Sequence, residues 1–250
     1  MPNKKIYTAA ALIIGNEVLS GRTADANLNY LAQRLTELGI RLMEARVIPD
    51  VMDTIVGAIN ECRANFDYLF TTGGIGPTHD DITAEAVARA FNVPIERNRE
   101  VVAILESYIP STNLNEARLK MADFPKGSEL LFNEVSRAPG FRMGNVYVMA
   151  GVPSIMRSMF DGFAGTLAGG DKMISITVAA ELPEGAVAGG LSDIQNRHPA
   201  VEIGSYPSYN DGKFKTSLVS RATDPVELDA TVEDIRALIR ANGAEPIEEA

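Results

Sequence analysis

At 250 residues and 26.9 kDa the chain can bury about 70% or more of its extended surface, so it needs no covalent staples. Hydrophobic residues make up 46% and charged residues 22%, ordinary globular usage that excludes a disordered or collagen-like chain. The formal charge is −10, with 7 Lys/Arg against 14 Asp/Glu in residues 171–250, and no basic stripe is present, which excludes a general nucleic-acid binder.

The lone cysteine, Cys62, forbids an internal disulfide, and with only His79 and His198 beside it the chain has no soft-ligand cluster for zinc. That usage fits a reducing compartment. The apolar run Thr8 to Ile14 is broken at once by Gly15-Asn16-Glu17, too soon to span a membrane and without a cleavage pattern. A cytoplasmic protein with no membrane partner is expected.

Tyr7 to Ile14 reads as a fully buried strand. Leu28, Leu31, Leu35 and Leu38 then make one apolar helical stripe, which Asp25 can cap and Gly39 can end in the left-handed conformation. Arg41 to Ile48 resumes a strand pattern, completing a βαβ unit. After Pro49-Asp50, the residues Met52, Ile55, Val56 and Ile59 mark another helix face, and Asp67 to Thr72 another short strand. Alternation of this kind predicts a mostly parallel sheet covered on both faces, with ligands beyond the carboxyl ends of its strands. Further on, Ala84 to Phe91 and Glu100 to Tyr108 read as helices, Asn113 to Ala122 as a short helix, Tyr147-Val148-Met149 as a strand, and Ser154 to Phe163 as a closing helix.

Glycine density rises from Gly162 to Gly170 and periodicity lapses, so we expect domains at 1–168 and 169–250. Beyond the boundary the order is β-α-β-β-α: Met173 to Ala180, Ala186 to Asn196, Val201 to Tyr206, Phe214 to Arg221 and Val226 to Ala241. With Asn210-Asp211-Gly212 as a hairpin turn, this predicts a small α+β domain.

The densest chemistry lies in Thr71-Thr72-Gly73-Gly74-Ile75-Gly76-Pro77-Thr78-His79-Asp80-Asp81-Ile82-Thr83, which leaves a strand and opens a helix. Gly73, Gly74 and Gly76 let main-chain amides approach a ligand, and the helix start adds unpaired N–H groups, a geometry that can cradle phosphate. A plain structural turn is the competing reading, since neither a Walker loop nor the dinucleotide fingerprint is present. Asp80 and Asp81 would repel an anion unless a cation such as Mg²⁺ bridged them; either can instead cap the helix. Asp50 ends the second strand with the same ambiguity. Glu17, in the loop Gly15-Asn16-Glu17, can bond a hydroxyl, help hold a metal, or stand in solvent. Asn27 can face the site or solvent, with solvent the favoured reading; His79 is an exposed loop histidine that can act as a general acid, although a lone loop histidine usually does not, and His198 is given no role. No Gly-x-Ser-x-Gly elbow, His-Glu-x-x-His pair or activated cysteine supports acyl transfer, leaving metal-assisted attack on a phosphoanhydride.

Three ordered motifs, Ile14-Gly15-Asn16-Glu17-Val18-Leu19-Ser20-Gly21, Thr72 through Thr83, and Met149-Ala150-Gly151-Val152-Pro153, together resemble the molybdopterin-binding (MoaB/Mog-like) domain, in the variant at the front of competence/damage-inducible proteins. The match covers roughly residues 6–163, and the order of elements after Gly170 resembles the second module of that family. The resemblance implies a three-layer α/β fold whose pocket binds molybdopterin, or binds or hydrolyses an ADP-ribose-like compound; a related domain accompanies eukaryotic FAD synthase. It also implies that Gly73, Gly74, Gly76, Pro77, Thr78 and Thr83 shape the phosphate site with Gly15, Asn16, Glu17 and Asp80 around the ligand. Asp50 and Asp81 would be the catalytic, metal-holding acids. Asn16 stands where many relatives have aspartate, and no deamidase activity is expected. The leading expectation is therefore a divalent-metal-dependent pyrophosphatase with a nucleotide or pterin ligand, the alternative a non-catalytic molybdopterin binder and a third an interaction module. Relatives associate, so a homo-oligomer is expected.

Overall fold

The computed structural model describes residues 6–210 and 212–249. The chain divides into two compact units, one ending at Gly170 and the other beginning at Asp171.

In the first unit the elements run β1 (Tyr7–Ile14), α1 (Asn16–Leu19), α2 (Asn27–Glu37), β2 (Ile40–Ile48), α3 (Met52–Asn65), β3 (Tyr68–Thr72), α4 (Thr83–Phe91), β4 (Ile95–Arg97), α5 (Arg99–Tyr108), α6 (Glu116–Leu119), β5 (Asp123–Pro125), β6 (Glu129–Leu131), β7 (Gly140–Met143), β8 (Val146–Met149) and α7 (Pro153–Ala164). Six strands form one sheet in the order β2-β1-β3-β8-β7-β6, in which β2, β1, β3 and β8 run parallel, β7 pairs antiparallel with β8, and β6 pairs antiparallel with β7. Helices cover both faces, as expected for a mostly parallel three-layer fold. Because side chains alternate along a strand, β1 feeds both cores: Ala10, Leu12 and Ile14 join the cluster that includes Ile55, Ile59 and Val87, while Ala9, Ala11 and Ile13 join Leu31, Leu35 and Phe160. Such a strand has no polar face to show, which is why it reads as a continuous apolar run.

Local chemistry sets the helix ends. The Asp25 carboxylate accepts the N–H groups of Asn27 and Leu28 at 3.3 and 2.9 Å, and Gly39 follows α2 with φ of 71°. The single short helix expected at Asn113–Ala122 is instead the four-residue α6 followed by a 3-10 turn at Lys120–Ala122. Asn115 Oδ1 accepts the Arg118 N–H at 3.0 Å and starts the helix late. Strands β4 to β7 are three or four residues long, too short to leave a periodic trace.

The second unit holds β9 (Ile174–Ala180), α8 (Glu184–Arg197), β10 (Glu202–Asn210), β11 (Lys213–Ala222), α9 (Pro225–Ala241) and β12 (Ile247–Glu249). Its antiparallel sheet has the order β10-β11-β9-β12, the last strand being one that the sequence pattern did not predict. Asp211, central to the predicted hairpin turn, lies outside the described residues. Among the described residues no helix is long and apolar enough to cross a membrane.

Candidate functional site

A cleft of about 930 Å³ opens in the first unit, at the carboxyl ends of β3 and β8. One wall is the loop Gly73 to Pro77 with Asp81; beside it lie Ala150 to Pro153 and Glu17; the far lip is made by Tyr108, Ile109, Pro110, Asn113, Arg118 and Met121. Most ligand sites of this size are largely apolar with a few placed polar groups, and this wall composition follows that pattern.

The glycine loop is fixed from below. Gly73 N–H donates to Met149 O at 3.1 Å, Thr83 N–H donates to Gly74 O at 3.0 Å, and the buried Thr83 hydroxyl donates to Gly73 O at 3.0 Å. Gly73 and Gly74 have φ of 101° and 68°, and a Cβ on Gly73 would run into the Ile14 carbonyl oxygen. Only glycine fits that turn. Past these anchors the main-chain nitrogens are unspent: among the described residues, the N–H groups of Gly74, Ile75 and Gly76 donate to no protein acceptor, and neither do those of Gly151 and Val152. Gly151 packs close enough to Gly73 that a Cβ on it would lie 3.3 Å from Gly73 Cα, so the two loops are neighbours. The amino end of α7 begins at Pro153 on the same wall and adds its positive dipole end.

The acids divide by position. Asp81 lies on the wall; its Oδ2 accepts the Thr78 N–H at 2.8 Å and also the Thr78 hydroxyl, leaving Oδ1 without a protein partner among the described residues. Asp80 is exposed, and the hydrogen bond from the Thr78 hydroxyl at 2.6 Å, the largest cause, holds its carboxyl below the ordinary carboxylate range. Thr78, exposed, also accepts from Lys120 Nζ at 3.3 Å through its carbonyl. Glu17 lines the cleft, its carboxylate folded against Gly15. Asp50 is not on the wall: its Oδ2 accepts the Asn16 N–H at 2.8 Å, tying the loop after β2 to the start of α1, while Gly15 N–H donates to Ile48 O at 3.1 Å. The structure therefore brings Glu17, Gly73, Gly74, Gly76, Pro77 and Asp81 to one cleft, and leaves Gly15, Asn16, Asp50, Thr78, Asp80 and Thr83 behind or beside it. Among the described residues no group of three or more His, Cys, Asp or Glu is gathered to hold a metal.

Asn27, expected to face solvent, is buried, because its Nδ2 donates to Gly151 O at 2.8 Å and holds the second loop. Sequence reasoning missed the far lip altogether, together with Ser136, Ala138 and Pro139. Helical periodicity marks two of these segments as helices but gives no sign that they line a ligand site.

Residues 10–169 match the family model described as "Probable molybdopterin binding domain", and residues 172–247 match "FAD synthase, middle domain". The chain belongs to the molybdopterin-binding domain family. It is 37% identical to an Archaeoglobus fulgidus protein over 78% of this chain and 83% of that one. It is 32% identical to a "Probable FAD synthase" of Caenorhabditis elegans over 96% of this chain and 51% of that one, and 33% identical to a "CinA-like protein" of Desulfosudis oleivorans over 78% and 51%. The chain thus spans about half the length of the last two. A crystal structure of CinA from Thermoplasma acidophilum superposes with a TM-score of 0.61 at 28% identity, covering 65% of this chain and 99% of that one. The glycine loops and the cleft fall within the residues matched to the molybdopterin-binding model.

Proposed function

We propose that the cleft binds a phosphate-bearing heteroaromatic ligand, molybdopterin or an ADP-ribose-like dinucleotide, through the main-chain nitrogens of its two glycine loops. The observation that carries this reading is the row of unspent amides at Gly74, Ile75 and Gly76, with Gly151 and Val152 beside them. An anionic oxygen accepting several such N–H groups forms charge-assisted bonds about twice as strong as neutral ones. Ile109, Pro110, Met121 and Ile155 give the same cleft an apolar side suited to a planar ring. Flavin adenine dinucleotide, the compound for which the Caenorhabditis relative is named, contains the same ADP-linked pyrophosphate and belongs to the same ligand class.

Within that reading we assign pyrophosphate hydrolysis, because Glu17 and Asp81 put two carboxylates on the wall that holds the amides. Mg²⁺ binds through one or two carboxylates together with substrate phosphates, so this donor set fits a cation that arrives with the ligand. Such a cation would neutralise charge building on the phosphates. Asp81 Oδ1 orients the attacking water, the loop amides hold the phosphate oxygens, and Asp50 supports the Glu17 helix through Asn16. Water adds to one phosphorus, the P–O–P bridge breaks, and ADP-ribose yields AMP and ribose 5-phosphate.

Incubation of the protein with ADP-ribose and Mg²⁺ should release AMP, and Asp81→Ala should lose that release while keeping affinity. Binding without AMP release from the intact protein would remove hydrolysis and leave the carrier reading. That second reading is favoured by the Thr78 contacts of Asp81, which give this carboxylate a structural task of its own.

A further inference from the structure

The cleft has a second polar corner. Arg118 lines it with Tyr108 and Ser136, and it is the single basic side chain among the described lining residues. Its guanidinium makes one hydrogen bond, from Nη1 to the Asn113 carbonyl at 3.2 Å, and no ion pair among the described residues. Five donors on a planar fork are thus mostly unused beside a cleft, in a chain of net charge −10.

The neighbouring loop is built with care around another arginine. Asn133 is buried; its Oδ1 accepts the N–H groups of Val135 and Ser136 at 3.1 and 2.7 Å and the Ser136 hydroxyl at 3.2 Å, while its Nδ2 donates to Ala138 O at 2.7 Å. This clasp holds Arg137 at φ of 63°, a left-handed conformation that a residue other than glycine rarely adopts. The residues on either side of it, Ser136 and Ala138, both face the cleft. Burial raises the Tyr108 phenol, and the positive charges of Arg137 and Arg118 lower it.

We propose that Arg118, with Tyr108 and Ser136 beside it on the lining, forms a second anion subsite of the cleft, so that the preferred ligand carries two anionic groups. One is held by the loop amides and the other by the Arg118 guanidinium. The inference rests on the phosphate reading of the glycine loops and adds a specificity determinant to it.

Calorimetric titration with AMP and with adenosine 3′,5′-bisphosphate, without metal, reads the subsite directly. The intact protein should prefer the bisphosphate by about tenfold or more, one charge-assisted pair being worth that much. Arg118→Gln should bring the preference down to about twofold while AMP affinity stays within about twofold, and Arg118→Lys, which keeps the charge, should retain most of the preference. Equal affinity of the intact protein for both nucleotides overturns the subsite and leaves the amide site standing. An unchanged preference in Arg118→Gln also overturns it. Failure of either nucleotide to bind overturns the subsite and the phosphate reading together.

Discussion

The loops after β1 and after β3 leave the same edge of the same sheet, and both begin with glycine, yet they spend their amides differently. In the first, Gly15 N–H is taken by Ile48 O and Asn16 N–H by the Asp50 carboxylate. In the second, the protein takes Gly73, Thr78, Asp81 and Thr83 and leaves Gly74, Ile75 and Gly76. A strand-to-helix turn is thus a support where the chain satisfies its own donors and a binding loop where it does not. Position separates two aspartates that look alike in sequence: Asp50 closes the supporting loop, whereas Asp81 stands on the cleft.

Four substitutions or conditions break or sharpen that contrast. The largest effect belongs to Gly73→Ala, which puts a Cβ against the Ile14 carbonyl at φ of 101°. It should cost about 3 kcal/mol of stability, and an unchanged urea midpoint would refute the close approach of the two loops. Gly76→Ala is milder, because its Cβ would meet Asp81 Oδ2 at 2.7 Å, the end of a side chain that can rotate. It should fold normally and bind ADP-ribose about tenfold more weakly by calorimetry, equivalent to about 1.4 kcal/mol. Asp50→Ala reverses the pattern: about 1 kcal/mol of stability goes with the lost hydrogen bond from Asn16 N–H, and affinity stays within about twofold. A tenfold affinity loss would return Asp50 to the binding machinery.

The smallest effect lies in the second unit. The His198 ring nitrogens meet Glu227 Oε1 at 2.9 Å and Asp234 Oδ2 at 3.0 Å, joining the end of α8 to α9. The Glu227 hydrogen bond, the larger cause, and the Asp234 bond raise its pKa above the ordinary 6.5. Stability from this clamp is fully present below about pH 6.5 and is lost as pH rises through the raised folded value. Thermal melts between pH 6 and pH 9 should show that decline in the intact chain and a flatter profile in His198→Gln.

How much of this was legible follows from the range of each interaction. The glycine loop, the strand before it and the helix after it are local, so residues 71–83 announce their geometry without help. Fully buried β1 and the leucine stripe of α2 are equally plain. Which amides remain unspent depends on partners far along the chain, such as Met149 for Gly73 and Asp50 for Asn16, and spacing cannot reveal them. The far lip is less legible still: Tyr108, Arg118 and Ser136 reach the cleft only because α5, α6 and the loop before β7 pack around it. Asn27 carries the same lesson, since its buried bond to Gly151 bridges residues 124 apart.

The decisive measurement is a nitrogen-proton correlation spectrum of the labelled protein titrated with ADP-ribose. If the unspent amides grip the ligand, those of Gly74, Ile75, Gly76, Gly151 and Val152 shift downfield in step with its addition while those of Gly15 and Asn16 hold still. Shifts centred on Gly15 and Asn16, with the five cleft amides unmoved, would contradict it.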